Sequence, residues 1–244
     1  MPTPLPTITL FGATGGCLSA VLHHALSTGH SVNALVRTPS KLAALAAQHP
    51  ATLHLTPGSI AAPAAVRAAL THGAHVADIV VCGIGMAMER RGLAFGSADP
   101  HVCEAAAAAI LAALQALRTQ TGAQGRGPRC VWMSTTGIAA RRDVPLLMLP
   151  LYKWVLGVPH ADKKRMEAVV VGSGTRWVLV RPSLLIDGKG KGMGAVKAGV
   201  EEGGKPGAVG YVISREDVGA WIFEECIASE EGEKWEGKIV GLTY

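Results

Sequence analysis

Gly12-Ala13-Thr14-Gly15-Gly16 interrupts the chain between a short apolar run, ITLF, and a longer apolar stretch that leads into HSVNALVRTPSK. That order predicts a buried strand, a glycine turn, a helix and a second strand ending in cations. Gly12 and Gly15 carry no Cβ, so the turn can tighten and present backbone N–H groups to phosphate oxygens at the start of the helix, where the helix dipole also favours negative charge. The pattern departs from GxxGxxG, because Leu18 stands at the third glycine position and an additional glycine, Gly16, precedes it. A third glycine normally allows close packing of helix on strand, so Leu18 predicts a wider spacing or a shifted helix start.

The second strand bears on which dinucleotide such a turn would hold. A residue about 20 positions beyond the glycines sits beside the adenosine ribose, and its charge separates NAD from NADP. Arg37 occupies that place, with Lys41 one helical turn on, and no Asp or Glu occurs before Asp78. Two cations suit a 2′-phosphate and no nearby carboxylate is available for ribose hydroxyls, so the reading is NADP(H).

The alternation continues down the chain. Thr52 to Thr56 reads as a third strand, followed by Gly58-Ser59-Ile60 and an Ala-rich helix. Asp78 to Cys82 reads as a buried fourth, ending at Gly83-Ile84-Gly85. A helix over Ala105 to Leu117, a fifth strand over Arg129 to Met133, a helix over Ala161 to Val171 and a sixth strand over Trp177 to Val180 complete the pattern. The fold class is α/β, a Rossmann-like doubly wound parallel sheet with helices on both faces and a small C-terminal appendage on the substrate side. A single domain covers 1–244, with 1–6 a loose tail and 185–244 a substrate-side flap followed by a helix and a strand. Gly188 to Gly210, rich in glycine and lysine and without periodicity, reads as a mobile loop. Ser214-Arg-Glu-Asp217 has the spacing of a capping box opening a helix through Cys226, and Gly237 to Thr243 reads as a short strand.

Composition narrows the function classes. The net charge is +5, but the cations fall in separated pairs (Arg90/Arg91, Arg141/Arg142, Lys189/Lys191) without interleaved aromatics, which argues against nucleic acid. The apolar stretch from Val144 to Val158 is broken by Pro145, Pro150 and Lys153, so no membrane helix is expected there. Cys17, Cys82, Cys103, Cys130 and Cys226 form no CxxC pair and read as core hydrophobes in a reducing compartment; the expected location is the cytoplasm. The histidines show no metal-ligand spacing, so no metal is expected. The expected partner is a hydrophobic small molecule, and the oligomeric state a monomer or homodimer.

With these segments in place, GATGG, ALVRTPSKL, MSTTG and MEAVVVGSGTRWVLVRPSLL together resemble the atypical short-chain dehydrogenase/reductases. The nearest branch is the NmrA-like and flavin-reductase (biliverdin-IXβ-reductase-like) group, over Ile8 to about Ile222. The resemblance implies that Gly12, Thr14, Gly15, Cys17 and Leu18 face the pyrophosphate and that Arg37 and Lys41 face the 2′-phosphate. It places Ser59 and Ile60 near adenine, Cys82, Gly83 and Ile84 along the ribose, and Pro182, Ser183 and Leu184 beside the nicotinamide. Ser134 takes the active-site serine position, and Lys163 the lysine of the Tyr-xxx-Lys pair. The tyrosine is missing. Pro159 stands four residues before Lys163, and Tyr152 cannot substitute within the motif because Leu156 follows it at that spacing.

Hydride transfer to a quinone or flavin needs no strong protein acid, whereas a ketone does. The candidate donors are Ser134, Thr135, Tyr152 and His160. His160 is favoured because it precedes Lys163 by one helical turn, and an imidazole beside a cation has a depressed pKa. The leading expectation is an NADPH-dependent oxidoreductase acting on a small or medium hydrophobic substrate of the quinone, flavin or aromatic-ketone type. The alternatives are an NADP-binding regulator of the NmrA-like kind and a redox-neutral isomerase or cyclase.

Overall fold

A computed structural model describes residues 4–86, 89–91, 94–96, 99–121, 125–148 and 157–244. Six parallel strands follow the expected alternation: β1 (Ile8–Phe11), β2 (Val32–Val36), β3 (Leu53–Pro57), β4 (Ile79–Cys82), β5 (Arg129–Met133) and β6 (Arg176–Pro182). The chain then adds β7 (Leu184–Ile186), β8 (Lys197–Val200), β9 (Val212–Ser214) and β10 (Lys238–Thr243). The main sheet has eight strands in the order β3-β2-β1-β4-β5-β6-β10-β8, with β7 and β9 paired separately. Only β8 runs antiparallel within it. Six adjacent strands, from β3 at one edge to β6, follow the doubly wound order, which reverses between β1 and β4.

Strand residues alternate between the two faces, and each face is covered. On one side Leu10, Val81, Val131, Val178 and Val180 pack against Leu18, Val21 and Leu22 of helix α1 (Gly16–Ser27) and against Val218, Trp221 and Ile222. On the other side Phe11, Val80, Trp132 and Leu179 meet side chains of α3 (Pro63–Leu70), α4 (Val102–Thr121) and α5 (Gly157–Val171). The short α2 (Ala43–Gln48) lies between β2 and β3. Full burial of a side chain such as Leu22 contributes about 1.5–3 kcal/mol, so the continuous apolar runs in the strands, with both faces covered, account for much of the sheet's stability.

Several details differ from the sequence expectation. Helix α4 is longer than Ala105 to Leu117 because Asp162 of α5 caps it across the tertiary structure, accepting from the Cys103 and Glu104 N–H groups at 2.9 and 3.1 Å. Its segment Val102–Gln120 is long and apolar enough to cross a membrane by length and composition alone. Even so, Cys103, Ala106, Ala107 and Ile110 lie in the core. Apolarity here serves packing.

The glycine-rich segment 188–210 is not one long loop. It contributes β8 to the sheet edge, and a Cβ on Gly199 would stand 2.6 Å from the Ala208 N, while one on Gly241 would stand 3.0 Å from it. Three backbone segments meet there, and glycine is what lets them touch. Beyond β9, α6 (Arg215–Trp221) continues through one π-helical stretch, Ile222–Ala228.

Half of the expected capping box is present. Ser214 Oγ accepts from the Asp217 N–H at 2.9 Å, but the Asp217 carboxylate turns instead to the Lys191 and Gly192 N–H groups and to the Tyr244 hydroxyl. Burial raises the Asp217 pKa, and these donors outweigh that, holding it below the ordinary carboxylate value. Glu236 is shifted the same way, burial being outweighed by hydrogen bonds and charge from Arg176 and Arg129. A depressed carboxylate adds stability above its unfolded pKa of about 4 and loses it as pH falls through the lower folded value. The melting temperature should therefore fall steeply below about pH 4. Asp217→Asn with Glu236→Gln should lower it at pH 7 and flatten the acid limb; an unchanged acid limb in this double variant would refute the assignment.

Candidate functional site

The crevice of a doubly wound sheet opens past the carboxyl ends of the strands where the order reverses, here β1 and β4. Gly12 follows β1 at φ 96°, and a Cβ added to it would stand 3.2 Å from the Gly83 carbonyl carbon beyond β4. The two strand ends touch through their backbones because neither residue has a side chain. Gly15 N–H closes the turn on the Gly12 carbonyl at 2.9 Å. Gly15 then serves as the N-cap of α1 without any side-chain hydrogen bond, and no acidic residue occupies the first turn. Thr14, Gly15 and Gly16 are exposed. An open helix N-terminus with its N–H groups unclaimed by a cap is what a pyrophosphate requires.

The departure at Leu18 is resolved on the opposite side of the contact. Leu18 is 2% exposed, and a Cβ on Gly83 would overlap its Cδ1 and stand 2.9 Å from its Cδ2. The small residue that close packing needs has moved from the helix to the end of β4, while α1 still begins at Gly16. The side chains of Cys17, Leu18 and Cys82 lie in the core, so these positions can offer a ligand only their backbone.

The other expected cofactor residues gather at the same end of the sheet. Arg37 directly follows β2, Lys41 lies in a single 3-10 turn over Pro39–Leu42, and both side chains are exposed. Ser59 and Ile60 follow β3 and are half-buried. Pro182 and Ser183 are buried, with Ser183 donating to Thr243 Oγ1 at 3.0 Å, while Leu184 is half-buried.

Helix α5 carries two of the expected catalytic residues, His160 and Lys163, and a third, Ser134, directly follows β5. Lys163 Nζ donates to the carbonyls of Ile84 and Met133 at 2.9 and 2.6 Å, bridging the ends of β4 and β5. Ser134 is 5% exposed and its hydroxyl donates a hydrogen bond to Glu167 Oε1 at 2.5 Å. Glu167 is held by two bonds from Arg181, at 2.8 and 2.6 Å, and Arg181 also binds Glu201. Arg181 is permanently charged, so Glu167 is an acceptor, and the Ser134 hydroxyl is directed into the protein. Thr135 donates to the Thr136 carbonyl. His160 is half-buried, and its pKa is lowered to about 4. The cause is burial, and not the neighbouring cation that the sequence suggested. It is therefore neutral at pH 7 and is no imidazolium acid there. Tyr152 lies outside the described residues, as does Trp154.

Glu167, Arg181 and Asp162 were not among the expected site residues. The signal for Glu167 was available: it follows Lys163 by four residues, so both share one helix face and hold the adjacent residues Met133 and Ser134. A separate cavity of about 400 Å³ lies at the opposite end of the sheet, lined by His75, Asp78, Pro128 and Arg176. It contains none of the candidate residues.

A family model described as NAD(P)H-binding matches residues 12–228, from the glycine turn to the end of the π-helical stretch. The chain belongs to this NAD(P)H-binding family. Curated relatives of the chain include "Reductase pytE" of Aspergillus terreus, 38% identical over 268 residues and covering 100% of both chains. Another is "Oxidase pynE" of Aspergillus niger, 33% identical over 278 residues and covering 98% of each. With this family comes the reaction class, oxidoreduction. Among solved structures, a short-chain dehydrogenase/reductase from Veillonella parvula in complex with NADP superposes with a TM-score of 0.74 at 16% identity, covering 99% of this chain and 95% of that one. The anaerobilin reductase ChuY of Escherichia coli O157:H7 gives 0.68 at 20% identity, covering 97% and 96%. The NAD(P)H-binding chain thus has the fold of the atypical short-chain dehydrogenase/reductases. Its open α1 N-terminus and the contact between Gly12 and Gly83 fit a nicotinamide dinucleotide.

Proposed function

We propose that the protein is an NADPH-dependent reductase of a small or medium hydrophobic substrate of the quinone, flavin or aromatic-ketone type, working in the cytoplasm. The observation that carries this reading is the state of the candidate proton donors. Among the described residues, Ser134 is committed to Glu167, Thr135 to a backbone carbonyl, and His160 is neutral. Pro159 stands where a catalytic tyrosine would. NADPH, when bound, would supply the hydride, and the protein's part is orientation and exclusion of water. A substrate that tolerates a transient anion, or takes its proton from water, suits such a site. The cofactor preference rests on Arg37 and Lys41, both exposed beyond β2. Five free, buried thiols suit a reducing compartment.

The same poverty of donors among the described residues favours a second reading, a cofactor-binding regulator in which no hydride moves. Calorimetric titration with NADPH and NADH, followed by quinones, flavins and aromatic ketones with absorbance read at the nicotinamide band, separates the two. NADPH preference with oxidation by a panel member is the expected result. Tight binding without oxidation by any of them would favour the regulator, and conversion of a substrate without an absorbance change would indicate redox-neutral chemistry.

A further inference from the structure

Gly16, the additional glycine of the turn, is not needed to bring Gly12 against Gly83, and its surroundings explain it differently. A Cβ on Gly16 would fall on the Arg215 side chain, overlapping Cδ and standing 3.2 Å from Nε. Arg215 is the first residue of α6, and α6 lies along α1 because Gly219 has no side chain: a Cβ there would stand 2.5 Å from the Cys17 carbonyl and 3.1 Å from the Val21 N. The chain thus brings a guanidinium from its C-terminal segment to the first turn of the helix whose N-terminus is open. Burial raises the Cys17 thiol to about 12, with the Arg215 charge opposing the rise and that of Asp187 adding to it, so both charges are felt at this helix start.

The Arg215 guanidinium is held by Asp187 at 2.8 Å, and the Asp187 side chain is 90% exposed. An ion pair so open to solvent is weak and exchanges readily for a stronger anion. A pyrophosphate is such an anion.

We infer that Arg215 is a cofactor-binding residue that contacts the dinucleotide pyrophosphate, and that Asp187 competes with the pyrophosphate for its guanidinium. The inference rests on assigning the pyrophosphate to the N-terminus of α1. It gives Gly16 a role, admitting the Arg215 stem, and gives the C-terminal segment a direct part in holding the cofactor.

Opposite effects of the two partners provide the test. Calorimetric titration of the wild type, Arg215→Met and Asp187→Asn with NADPH and NADH reads it out. Methionine keeps an aliphatic stem beside Gly16, and matching melting temperatures confirm that the fold is intact. Arg215→Met should weaken both cofactors about tenfold or more, since the pyrophosphate is common to them. Asp187→Asn should tighten both by up to about fivefold. A purely structural ion pair would make the two substitutions act alike. Unchanged affinity in Arg215→Met, a loss confined to NADPH, or weakening by Asp187→Asn would each overturn the inference. Failure of the wild type to bind either cofactor would instead overturn the pyrophosphate assignment beneath it, and the inference with it.

Discussion

Arg37→Ala combined with Lys41→Ala is expected to weaken NADPH binding about 100-fold while changing NADH binding by less than about threefold. Each exposed cation can form a charge-assisted hydrogen bond to a 2′-phosphate, worth about 1.5 kcal/mol, and two of them compound to roughly two orders of magnitude. NADH has no group at that position, so it has little to lose. Neither cation belongs to the core, and Arg37 follows the strand, so the double variant should fold as the wild type does. Calorimetric titration of both cofactors measures the ratio. Equal losses for NADPH and NADH would sink the assignment of this pair to the 2′-phosphate.

The second large effect concerns stability. Glu167→Ala should cost about 3–5 kcal/mol, because it removes the principal partner of a buried arginine. Arg181 is 6% exposed and would retain Glu201, whose side chain is 21% exposed and closer to solvent. For a chain of this length each kcal/mol corresponds to about 2–4 °C, so the melting temperature should drop by about 6–20 °C. Ser134→Ala offers the contrast. It deletes one hydrogen bond to Glu167 and leaves the ion pair with Arg181 intact, so its cost should stay near about 1 kcal/mol. If thermal melts showed Glu167→Ala to be as mild as Ser134→Ala, the pairing with Arg181 would not be a principal support of this end of the sheet.

These two experiments address residues of different legibility. Arg37 and Lys41 could be proposed as 2′-phosphate ligands from their distance beyond the glycine turn, because strand, turn and helix are encoded within about thirty residues. Glu167 could not. Its partner Arg181 belongs to a strand that the sequence presents as a plain apolar run ending in RPS, and only the packing of α5 on the sheet brings the two together.

The sequence by itself determined the alternation of strands and helices, the coverage of both sheet faces, the glycine turn, the basic pair beyond β2 and the Ser214 cap. All of these are written in local patterns, whose physics acts between neighbours in the chain. The tertiary structure decided what depends on distant segments meeting. Leu18 is accommodated because Gly83 faces it, and α4 is extended because Asp162 caps it from 58 residues away. Burial makes His160 neutral. A glycine-rich stretch with no strand periodicity becomes β8 because the exposed edge of β10 offers it a ladder and close backbone contact. Burial, hydrogen-bond partners and charge at such positions come from residues far along the chain, and they take effect only once the sheet has formed.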